Sequence, residues 1–351
     1  MPKFGYLVSS KDLKWQALLQ RVPHDVYHTP GYAEVCAREH NRRRSVTVQP
    51  MAFIWDHTDC AAIIPLLVSP VPGEVQELFD YPVYDAVSPN GYSGPITSSP
   101  GTTEQQILHS FKVNAADQGL LSCFLRAHPT LASSFRWFDG DESEVVGGTL
   151  GISCGRDVEA ILSSYRSTFR RDVKRLLKSD KLVTEFGRWD LLPAFAASYL
   201  RNMARLQAAE SYLFDVPYFE DLARSCAQYV ELLTVSEGSR FLGGVLLFHC
   251  RGVVQYHLPA CEDEGRDLGL NRLLIHKMVE YAISKQASLV HLGGGVGGSE
   301  DSLAYFKRGF SDKEFPYRCY KIVLDQAGYS RACNGVGQSG HTTFFPRYRN
   351  K

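Results

Sequence analysis

The chain has no excess of either charge. Its 38 lysines and arginines are matched by 38 aspartates and glutamates. Nothing global therefore draws it to nucleic acid or to an acidic membrane, and any polyanion must be met by a local patch. Long apolar runs are also missing. No stretch approaches the roughly 20 residues needed to span a bilayer, and the opening Met1-Pro2-Lys3-Phe4-Gly5-Tyr6 has none of the apolar run of a signal peptide. Cytoplasmic residence is the expectation. The nine cysteines are odd in number and scattered, without a C-x-x-C pair, which argues against a disulfide framework and fits small apolar residues in a reducing compartment. A G-x-S-x-G elbow is absent, which disfavours a serine hydrolase. His249, Cys250 and His257 lie close together without metal-ligand spacing, so no metal site is expected. Gly293 to Gly298 holds a loose G-x-G, but no βαβ unit follows it, which weighs against a dinucleotide site.

What is present is length and patterning. With 351 residues and 44% hydrophobic content, two globular domains are expected. The expected division is 1–150, 151–330 and a polar tail, 331–351. In the first half, Ser45 to Ile54 and Ala61 to Val68 read as strands, with Pro65 marking an edge or bulge. Glu104 to Asp117 reads as a helix and Leu120 to Leu125 as a buried strand. In the second half, Tyr165, Phe169, Val173, Leu176 and Leu177 form an apolar stripe at helical spacing, and Leu191 to Gln207 is a further helix. Phe241 to His249 and Val253 to Ala260 are strands joined at Cys250-Arg251-Gly252. Leu268 to Ile283 reads as a helix, Leu289 to Leu292 as a short strand, Ser302 to Arg308 as a helix and Tyr317 to Leu324 as a last strand. The tail contains Phe344-Phe345-Pro346-Arg347-Tyr348, which can dock back on the body.

Three segments carry candidate chemistry. Gly265-Arg266-Asp267-Leu268-Gly269-Leu270-Asn271 joins a strand to a helix, where free N–H groups can bind a phosphate; an ordinary loop entering a helix reads the same way. The run His291-Leu292-Gly293-Gly294-Gly295-Val296-Gly297-Gly298 opens a strand into a glycine loop, and Lys307 follows in a helix that Asp301 or Ser302 can cap. A fixed cation there could stabilise an oxyanion or hold a phosphate, although spacing alone fits a solvated lysine better. From Arg166 to Lys181, seven basic residues (Arg166, Arg170, Arg171, Lys174, Arg175, Lys178, Lys181) face two acids, Asp172 and Asp180. With one face turned inward, this is either a polyanion-binding ridge or a solvated helix surface.

The run L-G-G-G followed by D-S-L-x-x-F-K-x-G-F resembles the end of the Fem-like (FemABX) transferases within the GNAT superfamily. Four further elements, earlier in the chain, stand in the family's order. These are Val26-Tyr27-His28-Thr29-Pro30-Gly31-Tyr32, Asn90-Gly91-Tyr92-Ser93-Gly94-Pro95, Arg126-Ala127-His128-Pro129, and Met203-Ala204-Arg205 with Tyr212-Leu213-Phe214 and Tyr218-Phe219. Asn90 departs from the family's usual tyrosine, and Asn271 stands where a small residue is usual in the coenzyme A loop pattern. The strand, strand, helix, strand, helix, strand order of the second half is also that of the acetyltransferase core.

The resemblance implies an α/β (α+β) fold of tandem GNAT-like lobes, each a mixed, mainly antiparallel sheet flanked by helices. It implies an aminoacyltransferase that moves an aminoacyl group from aminoacyl-tRNA to the amine of a cell-wall or peptide-antibiotic precursor. The long charged heptad arm of some wall-building relatives is not found, which weighs against a cell-wall role. On this reading Lys307 and Tyr256 are the catalytic candidates. Tyr92, Arg126, Arg205 and Tyr212 face the acceptor, while Arg266, Gly269, Asn271, Gly293 and Gly294 hold the donor. Arg166, Arg170, Arg171, Lys174, Arg175 and Lys178 meet the tRNA. A monomer without a cofactor beyond its co-substrate is expected. Two other readings stay open: an acyl-CoA-dependent N-acetyltransferase acting on an amino sugar or small amine, and a non-catalytic GNAT-like binding module.

Overall fold

The computed structural model describes residues 5–43, 47–99, 103–131, 142–338 and 344–350. The chain forms two compact units, residues 1–146 with 316–351, and residues 147–315.

In the first unit, β1 (Gly5–Ser9), β2 (Gln49–Asp56), β3 (Ala61–Pro70), β4 (Tyr84–Val87) and β6 (Leu120–Arg126) lie side by side in that order, with short β5 (Ile96–Thr97) pairing on β3. The pairs are antiparallel except β4 with β6. Helices α1 (Leu13–Leu18), α2 (Pro30–Arg43), α3 (Gly73–Gln76) and α4 (Glu104–Asp117) accompany these strands. The structure explains Pro65. It pairs with Ala52 on one side, while on the other it falls between the rungs to β5 at Ala62–Ile63 and those to β4 from Leu67, so its missing N–H costs no ladder bond there. Ile107, Phe111 and Ala115 of α4 recur every four residues and pack with Phe53, Ile64 and Leu125 of the sheet. Strand β2 begins at Gln49; Ser45 lies outside the described residues.

In the second unit, β7 (Ser143–Ser153) contributes its later residues to the order β7, β12 (Leu289–Gly293), β11 (Val253–Cys261), β10 (Arg240–Cys250), β9 (Val230–Glu237), β8 (Leu182–Phe186). Only β11 with β12 is parallel. Seven helices accompany these strands: α5 (Val158–Ser164), α6 (Ser167–Leu177), α7 (Leu192–Arg205), α8 (Val216–Ser225), α9 (Asp263–Leu268), α10 (Leu270–Ser284) and α11 (Ser302–Arg308). Both units are thus mixed, mainly antiparallel sheets flanked by helices. The expected stripe on α6 needs one correction. Phe169, Val173 and Leu176 are buried, but Leu177 is 40% exposed, because it follows Leu176 directly and turns 100° away from it. The basic helix also ends sooner than expected, and Lys181 lies in the turn before β8.

The end of the chain departs from the expected division. Strand β13 (Lys313–Val323) pairs with β6 from Cys319 to Val323, so residues from 316 onward belong to the first unit. The tail is not a separate polar segment. Helix α12 (Gln326–Gly335) buries Tyr329, Ala332 and Cys333, which recur at i, i+3 and i+4. Phe345 stacks on Tyr329 at 5.8 Å, and Tyr348 is buried with its hydroxyl donating to Asp85 at 3.1 Å. Arg349 holds the same carboxylate at 2.5 and 3.1 Å. Residues 339–343 lie outside the described residues. No helix among the described residues is long and apolar enough to cross a membrane.

Candidate active site

Strands β11 and β12 run together for only three rungs. Val253, Val254 and Gln255 face Leu289, Val290 and His291, and beyond that point no pairing continues. β11 carries on along β10 with a register shift at His257, since Leu258 pairs with Leu246 and Tyr256 with Leu247. The last shared rung is stitched by side chains. His291 is buried, its Nδ1 2.6 Å from Gln255 Oε1 and its Nε2 2.9 Å from Thr149 Oγ1. Sequence gave no signal of this chain, because its members lie 36 and 142 positions apart.

Past that rung β12 opens into the glycine loop. Gly293 adopts φ +71°. A Cβ at Gly294 would lie 2.4 Å from the Gly148 carbonyl oxygen, so only glycine fits against β7 there. The loop is tied down by Asp301, which accepts from the N–H of Val296 at 2.8 Å and caps α11 through the N–H of Ala304 at 2.9 Å. Partial burial pushes the Asp301 carboxyl up, but these N–H groups outweigh it and hold the group below its usual range.

Lys307 is not a solvated lysine. It is 7% exposed, and its Nζ donates to the Gly294 carbonyl at 2.6 Å. Burial lowers its pKa to about 8, with Asp301 pulling weakly the other way. The ammonium therefore stays charged near neutrality, and among the described residues the Gly294 carbonyl is the acceptor for one of its three protons. Such a group can accept a developing oxyanion or a phosphate oxygen. Tyr256 packs against the core of the second unit, and burial raises its pKa. It therefore stays a neutral phenol, able to donate or accept a hydrogen bond.

The donor-loop candidates fall around the start of α10. Gly269 sits at φ +82° and ends α9, and no side chain caps α10. Arg266 is held by Asp263 at 2.6 Å and Asn202 at 3.3 Å, while Asn271 accepts from Cys261 Sγ at 3.2 Å. The basic helix lies against this segment. Arg175 donates to the Leu268 carbonyl at 3.0 Å, and Asp172 reaches Arg272 at 3.3 Å. The structure thus joins two motifs whose contacting residues, Arg175 and Leu268, are 93 positions apart. Arg170, Arg171, Lys174, Arg175 and Lys178 line an open groove of about 540 Å³ on α6. Among the described residues no acid pairs with Arg171, Lys174 or Lys178. Arg166, the N-cap of α6, lies over Tyr305 instead, 4.1 Å from the ring centroid.

The acceptor candidates separate into two pairs. Tyr92 and Arg126 are in the first unit, where Tyr92 meets Tyr27, His128 and Tyr317 edge to face, and Arg126 donates to the Ser88 carbonyl at 3.0 Å. Arg205 and Tyr212 are in the second, exposed at the end of α7 and just beyond it. Tyr212 is fixed by its carbonyl, which accepts from the Tyr199 hydroxyl at 2.8 Å.

A family model described as an acetyltransferase (GNAT) domain matches residues 132–308, half of the chain. The chain belongs to this GNAT acyltransferase family. Among curated protein sequences none matches it. Its fold is that of FemX, with a TM-score of 0.65 over 93% of this chain and 98% of that one at 15% identity. The C-terminal DUF2156 domain of an Agrobacterium fabrum protein described as a lysylphosphatidylglycerol synthetase is also similar (TM-score 0.52, 12% identity, 94% of this chain and 98% of that one). So is a Bacteroides thetaiotaomicron protein of unknown function (TM-score 0.51, 8% identity, 83% and 90%). At these identities the likeness is one of fold, and it agrees with the Fem-like resemblance.

Proposed function

We propose that this acyltransferase forms an amide by moving an aminoacyl group from aminoacyl-tRNA to the amine of a peptide or small-molecule acceptor. The observation that carries the reading is the buried Lys307 ammonium, fixed by the Gly294 carbonyl where β11 and β12 have parted. An ester is already activated, so the protein needs only to align the neutral amine with it and to stabilise the oxyanion that forms. Lys307 supplies that stabilisation. Tyr256, Arg205 and Tyr212 are the proposed contacts to the reacting groups and the acceptor, with Tyr92 and Arg126 as candidates in the first unit. The cations of α6 are the proposed contacts to RNA, since they form a one-signed surface on a chain with no net charge.

A second reading keeps Lys307 and changes the donor. The uncapped start of α10 at Gly269, beside Arg266, suits the pyrophosphate of an acyl-CoA. Transfer from a mixed pool of labelled aminoacyl-tRNAs, with RNase as control, separates the two. Transfer abolished by RNase is the expected result; transfer from acyl-CoA alone overturns the RNA donor. In either assay Lys307→Ala should lower turnover about 100- to 1,000-fold with the fold intact, the usual effect of removing one oxyanion donor. Near-normal turnover would remove Lys307 from the mechanism.

A further inference from the structure

One exposed aromatic group in the second unit is left unused by this scheme. Tyr305 is 63% exposed on α11, two residues before Lys307. Its position is nonetheless fixed. The Arg166 guanidinium lies over the ring at 4.1 Å and donates to the Tyr305 carbonyl at 3.3 Å. Arg166 is itself held over Phe169 at 5.0 Å, and Phe169 is buried in the core. An exposed tyrosine with one face clamped by a cation is a preordered, electron-rich plate whose remaining surface meets water. It stands at the N-terminal end of α6. From there Arg170, Arg171, Lys174 and Lys178 continue along the helix for three turns, about 18 Å.

An aromatic plate followed by a row of cations is how proteins take a single strand of nucleic acid, with a base stacked on the ring and phosphates along the row. Double-stranded RNA offers no free base face. An aminoacyl ester, in contrast, sits at the unpaired 3′ end of its RNA. We propose that Tyr305, clamped by Arg166, is a stacking platform for an unpaired nucleotide near the 3′ end of the donor RNA. The α6 cations then carry the phosphates that follow. This rests on the aminoacyl-tRNA reading and adds to it a requirement for single-stranded RNA next to the ester.

Binding of two RNA hairpins with the same stem tests it, one with a single-stranded 3′ extension and one blunt, each measured by fluorescence anisotropy at fixed salt. The wild-type chain should bind the extended hairpin about tenfold more tightly, the typical worth of one stacked base. Tyr305→Leu should reduce that binding to the blunt level, and Tyr305→Phe, which keeps the ring, should retain it. Lys174→Glu should weaken both hairpins alike, which separates charge from stacking. Equal binding of the two hairpins by the wild type, or an undiminished preference in Tyr305→Leu, overturns the platform and leaves the RNA donor standing. Binding of neither hairpin, with coenzyme A bound instead in a Tyr305-dependent way, overturns both.

Discussion

Each unit buries a basic side chain among other polar groups, and the two are wired in opposite ways. In the first unit, His128 is fully buried and its Nε2 lies 3.0 Å from the Asp25 carboxylate. Its Nδ1 faces the N–H groups of Thr130 and Leu131 at 3.4 and 3.2 Å, so the ring proton sits on Nε2 and is given to Asp25. His28 packs beside it, with its Nδ1 accepting the Asp25 N–H at 3.1 Å. Burial first, and then His128, push the His28 pKa down to about 3. In the second unit Lys307 has a carbonyl instead of a carboxylate at its nitrogen and titrates near 8. A group that changes charge only far from neutrality serves architecture. One that titrates close to the working pH is available for chemistry.

The largest effect should come from breaking the first cluster. His128→Leu removes the N–H that faces Asp25 inside the unit, and the expected cost is about 3–5 kcal/mol, as for a severed buried pair. Urea denaturation measures it, and a loss under about 1 kcal/mol would mark the pair as dispensable.

The contrast is sharpened by acid. His28 is harder to protonate in the fold than in the unfolded chain, so between about pH 6.5 and 3 the unfolded chain binds the extra proton. Its share of stability is therefore complete above pH 6.5 and falls as pH falls through that window, by roughly 1 kcal/mol per unit. His28→Gln should flatten the slope of the denaturation midpoint against pH in this range. An unchanged slope would place the titration on another group.

Lys307 gives the reverse experiment at high pH. Its folded pKa is also depressed, so stability should rise from about pH 8 toward 10.5 as the buried ammonium sheds its proton. Turnover, if it depends on the cation, should fall over the same range by about tenfold per unit above 8. Lys307→Met should erase the rise in stability. A turnover that keeps climbing past pH 9 would assign the group a different role.

These clusters also show what could be read in advance. Helix α4 was legible because its apolar residues keep helical spacing, and the β10–β11 hairpin because Gly252 punctuates two apolar strands. Strands β1, β4, β5, β7, β8 and β9 went unread. β8 is a short strand with alternating partial burial, and such strands acquire identity only from their neighbours. Helix α12 was hidden by composition, since its glycines, serine and asparagine mask the buried stripe of Tyr329, Ala332 and Cys333. Of the candidate site, the glycine loop and its lysine were visible as a motif, but the burial of Lys307 was not. Solvent exclusion is a property of what packs around a residue. The partners of His291 come from two other strands, β11 and β7, and no local pattern announces them.

The bond from Lys307 to Gly294 has a consequence for how this site can vary. Its acceptor is the peptide chain itself, so no exchange of side chain on the acceptor side simply removes a partner. The ammonium's environment must instead be retuned through the course of the loop, by a residue gained or lost between Gly293 and Asp301 or by a glycine replaced. Divergence of chemistry within such a scaffold should therefore be written in loop length more than in the identity of the residues facing the lysine.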